Sequence, residues 1–369
     1  MLLALMYWER TVRVEESTQG VMDAPVVENQ KTPEVNFLGY SELLDEQHYE
    51  ATAVGGLSGL AYDPDRDLYY GLADRGVGNT SARFYALRLP LDGSGPAEPI
   101  TPTIVDVTTL RDPQGQPLTG ANFDGEGIAV TLDGALLIAS ETEPSISRFS
   151  IDGRFLAHLP VPQKFLVEPE GMALRNGSFE SLSRNPDGSS LFTANEVPLT
   201  SDGEKTSEGR RPIRILRYED RGSSGFEPSQ EFFYLTEPAA GVNDLEALSG
   251  SELLVLEGGR RVFRISLDEA QDLAGEESLA DPNLKPVKKE LLVDVADCPL
   301  PRESQNLPGN FEGMSLGPEL PDGRQALILQ SDDNFDDKQK TRLIAFGIQL
   351  REDSSDPLLK RGKCEHVGA

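Results

Sequence analysis

The chain has 369 residues, 26% charged and 38% hydrophobic, which is enough to bury a sizeable core and too apolar for a disordered polymer. Thirty-four basic against 62 acidic residues leave a net charge of −28, which repels nucleic acid phosphates and anionic lipid. Nucleic acid is excluded as a partner, and with no apolar run of membrane-span length no stable membrane insertion is expected.

At the N-terminus, Met1-Leu-Leu-Ala-Leu-Met-Tyr-Trp8 is apolar but has no basic residue before it. Residues 1–33 are expected to be a leader or disordered arm, the remnant of an export signal, and the protein periplasmic or extracellular. A lone strand is expected over 34–44. A unit then repeats: a first strand with a small or acidic lead residue, a turn, a second strand ending in an acid, and two more strands. The first copy has strands at Leu57–Tyr62, Leu68–Ala73, Phe84–Leu89 and Ile104–Thr108. The second has Gly127–Thr131, Leu136–Ser140, Ile146–Ile151 and Phe155–Pro160. The third has Glu180–Ser183, Leu191–Asn195, Ile213–Tyr218 and Glu231–Leu235. Leu245–Leu248, Leu253–Leu256, Val262–Leu267 and Glu290–Val295 form the fourth, with one short helix expected at Leu267–Leu279. Only three strands follow, at Phe311–Leu316, Gln325–Gln330 and Leu343–Gln349, before a charged tail at 351–369.

Four-stranded units of this length, joined by turns, describe an all-β β-propeller occupying 34–350 as one domain. Five repeats predict five blades; six would require an irregular blade in 203–225 or 270–289. The strand at 34–44 supplies what the last repeat lacks, closing the ring and removing sheet edges.

The lead residues Ser58, Glu126, Glu180, Glu246 and Glu312 are spaced by 68, 54, 66 and 66 residues. The second strands end at Asp74, Glu141, Glu196, Glu257, and Asp332 or Asp333. In antiparallel neighbours the start of one strand lies beside the end of the next, so both acids of each repeat fall on one rim. Two concentric rings of carboxylates are therefore expected at one mouth of the channel, and they cannot all stay ionised without compensation. Arg75, Arg83, Arg148, Arg214, Arg261 and Arg342, near the third strands, could supply it as a network holding blades together. A hard cation such as Ca²⁺ is the other source, since it takes six to eight oxygen ligands. On the catalytic reading Glu126, Glu180, Glu246 and Glu312 act on substrate, and Arg75, Arg148 and Arg261 grip it. Asp74, Glu141, Glu196, Glu257, Asp332 and Asp333 then hold the metal.

Two further acidic clusters stand out. Asp63-Pro-Asp-Arg-Asp67 lacks the glycine and helices of a calcium-binding EF-hand loop and reads as a hairpin turn. Ser331-Asp-Asp-Asn-Phe-Asp-Asp337 is either a ligand source or a solvated loop. Histidine is scarce (His48, His158 and His366), and no Gly-x-Ser-x-Gly elbow or phosphate-binding loop occurs. An enzyme built from this chain would work with carboxylates, a cation and arginine, which suits hydrolysis of an anionic ester. Cys298 and Cys364 read as unrelated thiols, with a bridge to the tail as the alternative.

Asn122-Phe-Asp-Gly-Glu-Gly-Ile-Ala129, Asn176-Gly-Ser-Phe-Glu-Ser-Leu-Ser183, Asn243-Asp-Leu-Glu-Ala-Leu248 and Asn310-Phe-Glu-Gly-Met-Ser315 follow Gly56-Leu-Ser-Gly-Leu-Ala-Tyr-Asp63 and Leu72-Ala-Asp-Arg-Gly76. In this order they resemble the phytase-like propeller family with esterase-like activity of phytase, over roughly 35–350. Ser58 in place of Glu, and Phe-Glu-Ser in the third repeat, depart from the pattern. The resemblance implies a secreted or periplasmic propeller with phosphoesterase activity on a small anionic ester. A Ca²⁺-dependent phosphoesterase, expected as a monomer, is thus one expectation. A non-catalytic propeller binding a ligand or partner, its repeated Glu residues structural, is the other.

Overall fold

A computed structural model describes residues 35–74, 80–91, 100–120, 122–300 and 310–350. Strand β1 (Val35–Ser41) is followed by a two-stranded hairpin, β2 (His48–Tyr49) and β3 (Thr52–Ala53). The first blade is β4 (Leu57–Asp63), β5 (Leu68–Ala73), β6 (Arg83–Arg88) and β7 (Thr103–Thr109). The second is β8 (Gly125–Val130), β9 (Leu136–Ser140), β10 (Ser145–Phe149) and β11 (Phe155–His158). The third comprises β12 (Ser183–Arg184), β13 (Ser190–Ala194), β14 (Pro212–Asp220) and β15 (Phe226–Leu235). The fourth comprises β16 (Val242–Ala247), β17 (Glu252–Glu257), β18 (Arg261–Ser266) and β19 (Lys289–Asp294). Finally β20 (Phe311–Glu319), β21 (Gln325–Ser331) and β22 (Leu343–Ile348) pair with β1, from Val35 opposite Ile348 to Ser41 opposite Leu343. The protein is a five-bladed β-propeller closed by its N-terminal strand.

Neither segment considered for a sixth blade holds one. Residues 203–225 contain β14, and 270–289 form a loop laid on the third blade. The short helix expected at Leu267–Leu279 is absent because that loop's polar groups bond sideways. The Leu273 N–H donates to the Glu231 carbonyl at 2.8 Å, while Leu273 and Leu279 bury against Phe233. The acidic Asp63–Asp67 segment is the turn between β4 and β5, with Asp63 Oδ1 accepting from the N–H of Asp65 at 3.0 Å. Cys298 is disulfide-bonded, which corrects its reading as a free thiol; Cys364 lies outside the described residues. The expected leader, residues 1–33, and the tail from 351 also lie outside them.

Apolar side chains from neighbouring blades meet in the seams, and the ring closes where Leu57 and Tyr85 of the first blade pack with Ile328 and Ala345 of the last. At the axis the inner strands approach so closely that side chains must be omitted. A Cβ on Gly59 would lie 2.4 Å from the Glu126 carbonyl, and one on Gly127 would lie 2.4 Å from the Leu182 nitrogen. That crowding explains why glycine follows the lead residue in Glu126-Gly127.

Candidate active site at the acidic channel mouth

Each inner strand begins the same way. The N–H groups of Asp74, Glu141, Glu196, Gly258 and Asp332 donate to the carbonyls of Gly56, Asp124, Ser178, Gly241 and Asn310 at 2.8–3.0 Å. The next ladder pairs are Leu57 with Ala73, Gly125 with Ser140, Phe179 with Asn195, Val242 with Glu257, and Phe311 with Ser331. Register then slips by a bulge, which turns one extra residue out of the ladder. The equivalent lead positions are therefore Ser58, Glu126, Glu180, Asn243 and Glu312.

The fourth repeat is thus misaligned in the sequence reading. Asn243, not Glu246, holds its lead position, and Gly258, not Glu257, its outer one. Pairing Glu246 with Leu254 moves it down the channel, where it lines a cavity of about 440 Å³ with Val130, Arg184 and Leu316. There Ser183 Oγ donates to Glu246 Oε2 and the Leu316 N–H to Oε1, each at 2.9 Å. Glu257 turns into the blade, accepting from the Tyr234 hydroxyl at 2.6 Å and from Lys289 Nζ at 2.8 Å. The sequence frame is three residues out of step at Glu246 and one residue out at Glu257.

The remaining blades do assemble a ring of acids. Asp124, Glu126 and Glu141 each bring a carboxylate oxygen within 4.8 Å of the others. Asp124 was not singled out from sequence, although it stands two residues before Glu126. Glu126 is only 8% exposed, and among the described residues no hydrogen bond or ion pair reaches its carboxylate. Burial holds its proton affinity well above the usual carboxylate range, and Asp124, Glu141, Glu312 and Asp74 push it the same way. Glu180 is raised by burial and then by Glu126, Glu196, Glu141 and Glu312, although part of its surface stays open to the channel. Glu312 and Asp332 share a side-chain hydrogen bond, which requires a proton between them, and burial raises both. Glu196 is raised by burial and partly offset by Arg211, a cation that sequence patterning did not flag.

Asp333 is taken up structurally. It accepts from the Gly56 N–H at 2.8 Å, the Phe335 N–H at 3.0 Å and Thr341 Oγ1 at 3.1 Å, sealing the last blade to the first.

The arginines do form a carboxylate network, but with other acids. Arg214 is bidentate to Asp202 at 2.8 Å and bonds Glu231 at 2.7 Å. Arg342 meets Glu42 at 3.0 Å, and Arg261 is held by Asp294 at 3.0 Å. Arg148, opposite Leu137 partway along its hairpin, pairs with Asp133 in the turn at the far end of the blade. Arg148 and Arg261 are therefore not at the acid ring, because the third strands lie too far out in the blades. Arg75 lies outside the described residues. Arg83 is buried against the β2–β3 hairpin, donating to the Tyr85 hydroxyl at 2.8 Å and the Ala53 carbonyl at 2.9 Å.

A phytase-like family model, described as esterase-like activity of phytase, matches residues 52–335, and the chain belongs to this family. An uncharacterized secreted protein of Arthroderma benhamiae is 24% identical over 255 residues, covering 50% of this chain and 49% of that protein. The chain thus spans about half the length of that relative. Among solved structures, a Dos1 propeller aligns at 11% identity over 81% of this chain and 68% of that one, with a TM-score of 0.36. A periplasmic gluconolactonase of Pseudomonas aeruginosa aligns at 16% identity over 82% and 87%, with a TM-score of 0.33.

Proposed function

We propose that this protein is an exported hydrolase that cleaves small phosphate esters at the acidic mouth with the help of a divalent cation, Ca²⁺ by preference. One observation carries the reading: Asp124, Glu126 and Glu141 each bring a carboxylate oxygen within 4.8 Å of the others, and among the described residues no cation pairs with Glu126. An all-carboxylate donor set without histidine or thiolate suits a hard cation, and an open arrangement suits Ca²⁺ better than the strict octahedron of Mg²⁺. A cation bound there would offset the negative charge of a phosphate ester and make water a better nucleophile.

The side chains around it have separable tasks. Asp124, Glu126 and Glu141 would hold the cation. Glu180, beside them and open to the channel, is placed to take the proton of the attacking water. Glu312 and Asp332, both raised by burial, would return a proton to the leaving oxygen. The bond from water oxygen to phosphorus forms, the phosphorus–ester oxygen bond breaks, and an alcohol and phosphate result. The phosphate chemistry and the export draw on the family description and on the secreted relative.

The test is a thermal melt of the full chain, stripped with chelator and then titrated with Ca²⁺, with Mg²⁺ as control. A cation at a hundred times its Kd adds about 2.7 kcal/mol, a rise of a few degrees for a domain this large. A saturable rise with Ca²⁺, accompanied by chelator-sensitive turnover of phosphate monoesters, is expected. A flat melt sinks the reading. A rise without turnover of any ester would leave a cation-stabilised binding propeller instead.

A further inference from the structure

The inner strands end at a second mouth, opposite the ring of acids. Tyr62, Val130, Arg184, Glu246 and Leu316, one from each of β4, β8, β12, β16 and β20, line a cavity of about 440 Å³ there. Their ladder partners are Tyr69, Leu136, Leu191, Leu254 and Leu327, near the starts of the second strands. The ring acids Glu141, Glu196 and Asp332 instead lie just past the ends of those strands. Much of the cavity wall is aliphatic, since Val130 and Leu316 are joined by Pro64 and Pro186 from the turns and Pro318 near the end of β20.

Two opposite charges stand in this wall. Arg184 Nε donates to the Val130 carbonyl at 2.6 Å, and Nη1 to the carbonyls of Asn185 at 2.8 Å and Pro186 at 3.2 Å. Carbonyls thus fix the guanidinium, and among the described residues no hydrogen bond or ion pair takes up Nη2. Glu246 accepts one bond on each oxygen, from Ser183 and from Leu316, which leaves each oxygen a lone pair. Both side chains are half-buried, so a ligand can reach them. Their charges act on each other, yet among the described residues no ion pair joins them.

The geometry points to a second binding site at this mouth, for a small zwitterion with an aliphatic body: an aliphatic α-amino acid. The carboxylate bonds Arg184, the ammonium takes the open lone pairs of Glu246, and the side chain covers Val130 and Leu316. A ligand with one charge leaves the other group unanswered. A plain carboxylate meets Glu246 and a plain amine meets Arg184, and like charges repel strongly where water is scarce. The site stands apart from the cation reading, because Asp124, Glu126 and Glu141 do not line it.

Calorimetric titration of the full chain in chelator tests this, at a pH of about 8, above the Glu246 value of about 7. The probes are leucine, isocaproate and isopentylamine, which share one aliphatic body and carry both charges, the carboxylate alone and the amine alone. Leucine is expected to bind at least about tenfold tighter than either, and tighter than glycine by a similar factor. Glu246→Gln, which keeps the side chain's shape, should weaken leucine at least fivefold and leave isocaproate no weaker. Arg184→Gln should weaken leucine and isocaproate but not isopentylamine; if that variant does not fold, the Glu246→Gln comparison decides. Adding Ca²⁺ should move the leucine affinity less than twofold. No leucine binding, equal affinities for the three probes, or leucine binding untouched by Glu246→Gln would overturn the proposal. A leucine affinity that requires Ca²⁺ would place the ligand at the ring and overturn it too.

Discussion

Two levels of the channel treat buried carboxylates in opposite ways. One residue below the ring level, Asp244 accepts from the Met314 N–H at 2.7 Å, the Leu245 N–H at 2.8 Å and the Leu182 N–H, tying three blades together. Glu246 beside it bridges the third and fifth blades through Ser183 and Leu316. At the ring, the described charges that act on Glu126 are the carboxylates of Asp124, Glu141, Glu312 and Asp74. Backbone donors make a buried acid a strut, whereas crowding by like charge makes it a receptor for a cation. Composition is the same at both levels; the partners differ.

The largest effect that would test this contrast is at Asp244. Asp244→Ala leaves backbone donors from three blades without their acceptor and should cost about 3 kcal/mol of stability in denaturant melts. Calcium affinity, measured on the same preparation, should stay within about twofold, since Asp244 is held by backbone donors and is not one of the converging carboxylates. A lost calcium response with intact stability would break the comparison.

A change of opposite sign is expected at the ring. Glu126→Gln removes a buried carboxylate that no described cation pairs with, so the chelated variant at pH 8 should be more stable than the wild type by about 1–2 kcal/mol. Its melting temperature should no longer rise with Ca²⁺. Destabilisation of the chelated form would mean that Glu126 is a strut after all.

The smallest effect is at Glu246, and it is read against pH. Burial pushes its carboxyl up to about 7, against the pull of Leu316, Ser183 and Arg184. Because the folded state binds this proton more tightly than the unfolded chain, the contribution is complete below the unfolded value and is lost as pH rises through about 7. Glu246→Gln should therefore melt closer to the wild type at pH 5 than at pH 8, where the variant should be the more stable of the two. Parallel pH profiles for the two proteins would remove Glu246 as the titrating group.

Much of the architecture was legible in the sequence because a propeller blade is a local object. Its strands are consecutive, its turns carry Gly, Asp and Pro, and a Glu preceded by Phe or Gly marks where three of the five inner strands start. Closure by the strand at 34–44 followed from counting strands, since the last repeat lacked one. The candidate site was legible only where the repeat was regular. Glu126, Glu180 and Glu312 fall into the ring because Phe or Gly precedes each in a shared frame. In the fourth repeat Val242-Asn-Asp-Leu-Glu246 offers two frames, and nothing local says which residue is bulged. Asp333, next to the ring acid Asp332, belongs to the seam because the Gly56 N–H, 277 residues away, claims it.

Alone, then, the sequence determined the number of blades, their closure and the accumulation of acids at strand ends, because those follow from alternation, turn chemistry and repeat length along a short stretch of chain. Only the tertiary structure decided which acids converge on one another and which are bound to amides of another blade. That choice depends on register and on contacts between residues far apart in the chain. A single bulge moves a carboxylate from the ring to a strut.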